Sequence, residues 1–214
     1  MKDLVILAIG NYNWDQIKPL YNSLRQSGFT GDVGAIIYND PHNIQKNLEE
    51  HGIITYLPMT NHLGKNALKS VQNDRFYHMW EFLNNLDTEY NRIMSIDSRD
   101  VIFQTNPSDY LDEHLGDFDI LVPSEGLAYK DEVWGRQNFH DSFGAKLYDW
   151  AKDFTIYNVG TVAGKAKFFK DFFLLNYMVS LGTPIHISDQ AAFNLLVNLN
   201  VFDGKIKYAN SESG

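Results

Sequence analysis

The 214 residues contain no cysteine. Disulfides, thiolate metal sites and cysteine nucleophiles are therefore excluded. The absence says little about compartment, because a secreted chain can also lack cysteine. No stretch reaches the roughly 18–20 apolar residues of a membrane span. Met1-Lys2-Asp3 leads straight into the apolar run Leu4–Ile9, which is too short for the core of a signal peptide and has no small-residue cleavage site after it. The expectation is a cytoplasmic chain with no membrane span. An excess of positive charge is missing too. The net charge of −9 argues against a general nucleic-acid binder, which needs a basic face, but leaves room for a small anion in a local pocket. Repeats and low-complexity stretches are absent.

What is present is ordinary globular composition, 44% hydrophobic and 21% charged, at a length suited to one domain with a substantial core. Aromatics are plentiful, with 14 Phe, 12 Tyr and 4 Trp. Such rings fill cores and also line sugar or base sites, so their abundance does not decide. Apolar runs alternate with helical spacings. Strands are expected at Leu4–Ile9, Val33–Tyr38, Ile53–Leu57, Arg92–Ile96 and Asp119–Pro123. Helices are expected at Trp14–Gln26, closed by Gly28, at His42–Glu50, at about Ala67–Asn84, at Lys165–Leu181 and at Asp189–Leu199, with Ser188 as its N-cap. Residues 157–173 read as strand, glycine, helix, and a last strand is expected just before the closing "YANSESG". That ending leaves open that the chain is a piece of something longer. Strands alternating with helices predict a three-layer α/β sandwich around a mainly parallel sheet. Ligands of such sheets bind at the carboxyl ends of strands, where Gly10-Asn11, Asn39-Asp40 and Asp97–Asp100 fall.

The stretch "NRIMSIDSRDVIFQTNP" stands out. The apolar run Ile93–Ile96 breaks into Asp97, Ser98, Arg99 and Asp100, then turns apolar again at Val101. Two carboxylates on one short loop can hold a hard cation such as Mg²⁺ or Mn²⁺ through oxygen. That cation would bridge diphosphate oxygens and help a nucleoside diphosphate leave. Arg99 could meet phosphate with two hydrogen bonds. An internal ion pair that caps the loop is the competing reading of the same residues.

Further along, Arg75 stands on the helix before this loop, "YNVGTVAG" begins at Tyr157, and "DQAAFN" begins at Asp189. The order of an arginine helix, D-x-R-D-V-x-F-Q-x-x-P, S-E, Y-N-x-G-x-x-x-G and D-Q-x-x-x-N resembles the GT-A-fold glycosyltransferases. It is most similar to the group whose metal motif is a D-x-R-D-V-x-F-Q variant of D-x-D. The resemblance runs from Leu4 to about Val197. The two strings D-S-R-D-V-I-F-Q and D-Q-A-A-F-N are fairly specific together and weak singly. It implies a Rossmann-like N-terminal half, a nucleoside-diphosphate sugar as donor (UDP-sugar favoured), a divalent Mn²⁺ or Mg²⁺, and transfer of a sugar to a glycan or other hydroxyl acceptor. Residues 1–105 would then be the donor-binding half and 106–214 the acceptor-side half of a single domain.

Carried over by position, the resemblance gives Gly10, Asn11 and Tyr12 to the first donor loop and Asp40 to the nucleobase or ribose. Arg75, Asp97, Ser98 and Arg99 go to the donor, and Asp97 and Asp100 to the metal. Asn158, Gly160, Gln190 and Trp134 go to the acceptor side, and Asp189 and Glu125 to the reaction centre. Arg99 occupies the position where the standard motif has its second acid, so Asp100 would take the metal duty or Arg99 would supply part of the cation's charge. Such enzymes often carry a late His or Lys at the diphosphate, and only Lys205 and Lys207 follow the Asp189 helix here.

Each residue has a plainer role available. Asp40 could make a turn before Pro41, Arg75 could be a surface charge, and Gly160 and Gly164 could allow close packing. Asn194 could be a buried amide bonded to backbone, and Asp189 could be an acid favoured at a helix start. Trp134 and His140, in "DEVWGRQNFHDSFG", could pack in a loop and helix over the site. His186, a lone histidine, is more readily structural than a metal ligand. An inverting transfer needs a base for the acceptor hydroxyl, with Asp189 first and Glu125 second; a retaining one can leave that proton to the donor phosphate. Two other functions compete: a non-catalytic glycan- or nucleotide-binding domain on the same fold, and a nucleotidyltransferase. The latter would show a Gly-rich loop with Lys or Arg after the first strand, and "AIGNYNWDQ" has none.

Overall fold

The computed structural model describes residues 1–40, 42–59, 70–201 and 204–209. Among them are eight strands and seven helices around one sheet. Strands β1 (Lys2–Gly10), β2 (Asp32–Tyr38), β3 (Ile54–Tyr56) and β4 (Tyr90–Asp97) lie parallel in the order β3-β2-β1-β4. The alternating pattern predicts a mainly parallel sheet, and these four strands are the Rossmann-like half that the resemblance implies. The sheet continues through β7 (Thr161–Lys165), antiparallel to β4, and then β5 (Ile120–Ala128), antiparallel to β7. The outer end of β5 pairs with β6 (Thr155–Tyr157), and β8 (Ile206–Ala209) runs parallel to the inner end of β5. Only β6 and β7 oppose the common direction, so the sheet is mainly parallel.

The continuous apolar run of β1 is explained by cover on both faces. Leu4 and Ile6 face a core built with α3 (Val71–Asn85) and the Phe-rich α6 (Ala166–Leu181). Val5, Leu7 and Ile9 face a second core built with α1 (Trp14–Gln26), α2 (Ile44–Glu50) and α4 (Pro107–His114). Helix α1 starts where Asn13 and Gln16 cap each other reciprocally and ends before Gly28, whose φ of +90° suits a residue without Cβ. The expected start of α3 at Ala67 lies outside the described residues; the helix runs from Val71, with the Ser70 hydroxyl accepting from the Asn73 amide.

Three regions depart from the sequence reading. Helix α4 was not expected, although Asn106 as N-cap and Pro107 at the first helical position are its local signal. Where one strand was expected from Tyr157 on, two short strands, β6 and β7, flank a turn at residues 158–160. The loop and helix expected around Trp134 is a long helix, α5 (Val133–Ala151), kinked at Gly144. The last helix is α7 (Asp189–Asn198). No helix among the described residues is long and apolar enough to cross a membrane.

Candidate functional site

Strands β1 and β4 end side by side, and both ends turn into loops that line one cavity of about 550 Å³. Asn11 adopts φ +59°, a left-handed conformation that asparagine tolerates, and its N–H reaches the Tyr38 carbonyl at 3.3 Å. This sends the chain from Gly10 over the sheet end and puts Asn11 and Tyr12 on the cavity wall. On β4 the last strand residue is Asp97, whose N–H donates to Gly160 O at 2.6 Å. The Ser98 hydroxyl donates to Ala8 O at 2.9 Å, so Ser98 stitches β4 to β1. Arg99 lies over the Tyr12 ring, 5.7 Å from its centre, and binds the Asp100 carboxylate at 3.1 Å.

The buried Arg75 guanidinium, from α3, joins two walls of this cavity. It donates to Asp97 at 2.5 Å and to Asp189, at the start of α7, at 3.1 Å. Burial by itself would lower the Arg75 pKa, but Asp189 and Asp97 more than offset it and leave the pKa raised. Arg75 is thus a fixed cation between two acids and not a surface charge.

Gly160 has a specific reason to lack a side chain: a Cβ there would collide with the free oxygen of the Asp97 carboxylate. Gly164 differs, since its Cβ would strike the backbone of Asp119 and Ile120, so it serves close strand packing. Asn158 accepts from the Gly160 N–H at 2.7 Å and donates to Glu125 at 3.1 Å. Gln190 donates to the same Glu125 oxygen at 3.0 Å. Asn158 and Gln190 line the cavity, and Glu125 stands behind them. Asn194 is the buried amide bonded to backbone, pairing with both N–H and C=O of Tyr157 at 2.8 Å. Trp134, half exposed on the first turn of α5, closes the far side, its helix capped by Glu132 at 3.0 Å.

Several expected residues lie elsewhere. Asp40 lines a neighbouring cavity of about 480 Å³, and its carboxylate caps α2 by accepting from the Ile44 and Gln45 amides at 2.6 and 3.1 Å. His186 shares that cavity. Its floor includes Tyr38, whose hydroxyl meets His78 at 2.6 Å; burial raises the Tyr38 pKa and lowers that of His78, which favours a neutral pair. His140 pairs with Asp141 at 3.3 Å and lines neither cavity. Lys207 donates to the His114 carbonyl, and neither it nor Lys205 lines the site. Ser188 stands at the N-cap position of α7, yet its side chain makes no capping bond; its hydroxyl turns to Ser180 O instead. The sequence reading missed Val71, Gln72 and Ile187 on the cavity wall. The sequence pattern places "VQNDR" in the body of a longer helix, whereas Val71 and Gln72 open its first turn.

No protein-family model and no curated protein matches the sequence. Solved structures do match in fold. The chain is similar to the glycosyltransferase GlyE of Streptococcus pneumoniae, with TM-score 0.59 and 14% identity over 99% of this chain and 45% of that one. It is similar to the galactosyltransferase LgtC, solved with donor and acceptor sugar analogues, at TM-score 0.55 and 16% identity over 98% and 73%. It is also similar to 4-diphosphocytidyl-2C-methyl-D-erythritol synthase of Anaerococcus prevotii, at TM-score 0.51 and 14% identity over 97% and 87%. At these identities the likeness establishes a GT-A-like fold.

Proposed function

We propose that the chain is a glycosyltransferase that moves a sugar from a nucleoside-diphosphate sugar, UDP-sugar first, to a glycan or other hydroxyl acceptor. The observation that carries the reading is the Asp97–Arg75–Asp189 bridge in a cavity at the carboxyl ends of parallel strands, on a fold shared with GlyE and LgtC. Residues 1–105 would hold the donor, through Gly10, Asn11 and Tyr12 and the 97–100 loop, and 106–214 the acceptor, through Asn158, Gly160, Gln190 and Trp134. The exposed Arg99 fork is free to exchange Asp100 for phosphate. Glu125, oriented by two amides, and Asp189 are the two carboxylates available near an acceptor hydroxyl. Inversion would use Asp189 as base and Glu125 second; retention would leave the proton to the donor phosphate.

Two oxygen-donor carboxylates suit Mg²⁺ or Mn²⁺, ions commonly held by one or two protein carboxylates with water and substrate phosphate completing the shell. Asp97 and Asp100 would hold it. Among the described residues no group of three or more acidic or histidine side chains is placed to hold a metal alone, which makes binding together with the donor the reading. When bound, the cation would neutralise charge on the diphosphate leaving group.

A nucleotidyltransferase is favoured by one observation, the fold likeness to the cytidyl synthase. Against it, the turn from Gly10 to Asn13 carries no Lys or Arg. Thermal unfolding with UDP, GDP or CMP, each with and without Mn²⁺, separates the readings. A nucleotide at about 100 times its Kd adds roughly 2.7 kcal/mol, or roughly 5–10 °C for a chain of this size. We expect that shift with UDP and Mn²⁺ and its loss in Asp97→Ala. A shift with CMP alone favours the nucleotidyltransferase, and no shift with any nucleotide sinks the donor site. A nucleotide shift without turnover of any nucleotide sugar would favour a non-catalytic binding domain.

A further inference from the structure

We propose that Asn73 and Asn138 are positioning residues that together hold Asp189 and Gln190 in the cavity; the inference rests on the transfer reading above. The segment before α7 belongs to no strand, and it runs from the exposed His186 into the fully buried Ser188, so the backbone polar groups that it carries inward need partners. Asparagine amides from two helices supply them. Asn73, on α3 and fully buried, donates to His186 O at 3.0 Å and accepts from the Ser188 N–H at 3.0 Å. Asn138, on α5, donates to Ile187 O at 2.8 Å. Three consecutive residues are thus gripped from both sides, and Asp189 follows at once.

The helices that hold this segment are those that furnish the rest of the site. Asn73 stands two positions before Arg75, the partner of Asp189. Asn138 stands four positions after Trp134, one turn along the same face of α5. The Ser188 hydroxyl reinforces the grip. It accepts from Thr183 at 2.8 Å and donates to Ser180 O at 3.2 Å, so it serves the buried anchor in place of the α7 cap that its position predicts. A purely structural role would need only that the backbone groups be satisfied. A positioning role further requires that the placement of the Asp189 carboxylate depend on them.

The test uses the full chain in five variant forms: Asn73→Ala, Asn138→Ala, Asp189→Glu, and each alanine variant combined with Asp189→Glu. Two readouts are taken, hydrogen exchange at the Ser188 and Asp189 amides and turnover of a UDP-sugar. We expect Asn73→Ala to speed Ser188 exchange and to lower kcat by about 10- to 100-fold, the scale of an ångström misplacement, with UDP affinity unchanged. Asp189→Glu keeps the carboxylate but displaces it, so adding either alanine there should cost little more, because the effects share one route. Equal fold losses in both backgrounds would overturn the proposal, as would unchanged Ser188 exchange. Asn138→Ala removes one bond from a half-buried site and keeps the test alive where Asn73→Ala fails to fold. A wild type that transfers no sugar sinks the transfer reading instead, and the clamp then stands or falls on exchange at Ser188 and Asp189.

Discussion

Two loops meet at Arg75, and they are held in opposite ways. Residues 97–100 leave the sheet where β4 is still paired with β1 on one side and with β7 on the other. The sheet therefore aims Asp97, and little else is needed. Residues 186–188 have no strand, and side-chain amides from α3 and α5 fix their backbone. The first arrangement follows from local pattern, an apolar run that breaks into charge. The second depends on partners 113 and 115 residues apart in sequence. One cavity thus has a wall set by regular structure and a wall set by individual long-range bonds, and the second should be the easier to disturb.

Removing Arg75 should have the largest effect and should expose this asymmetry. Arg75→Ala strands Asp189, whose side chain is 7% exposed, whereas Asp97 keeps 55% exposure and can turn to water. Breaking a buried pair from one side costs about 3–5 kcal/mol, measurable by urea unfolding. Asp189→Asn added to Arg75→Ala should restore much of that loss, and Asp97→Asn should restore little. Equal recovery from the two would erase the contrast between the loops. A smaller effect is expected at the glycines. Gly160→Ala and Gly164→Ala both overpack, at about 1–3 kcal/mol each, but only Gly160 abuts the Asp97 carboxylate. Isothermal titration should find weaker UDP binding in Gly160→Ala and unchanged binding in Gly164→Ala.

This division also explains what the sequence disclosed. Buried parallel strands such as β1 write themselves as unbroken apolar runs, and Trp14–Gln26 shows its helical period and both ends, so the mainly parallel sheet and the strand-end loops were legible. Arg75, Asp97 and Asp189 were picked out singly, but nothing local says that one guanidinium joins the two acids. Asp40 shows the limit of position as a guide: it lies at a strand end, as expected of a ligand contact, and its carboxylate caps α2. The anchoring roles of Asn73, Asn138 and Ser188 were invisible for the same physical reason. An amide that satisfies distant backbone leaves no periodicity and no spacing, and Ser188 even carries the mark of a cap it does not make.

The smallest change in stability is expected at Asp100, and it bears most directly on how the sheet-held loop meets a diphosphate. Asp100 is 78% exposed, and the partner found for it is its neighbour Arg99, itself 52% exposed. Exposed pairs of this kind contribute little to stability, so Asp100→Ala should leave the urea midpoint where it is in the parent. Its effect on binding depends on which of the two residues serves the anion. If Asp97 and Asp100 share a cation, Asp100→Ala should remove the Mn²⁺ dependence of UDP binding and most of the affinity with it. If Arg99 takes the place of the cation, the same change frees its guanidinium, UDP binds at least as well without Mn²⁺, and Arg99→Ala becomes the damaging variant. A loop aimed by the sheet leaves both residues free to turn, so side-chain charge, and not loop position, decides between these outcomes.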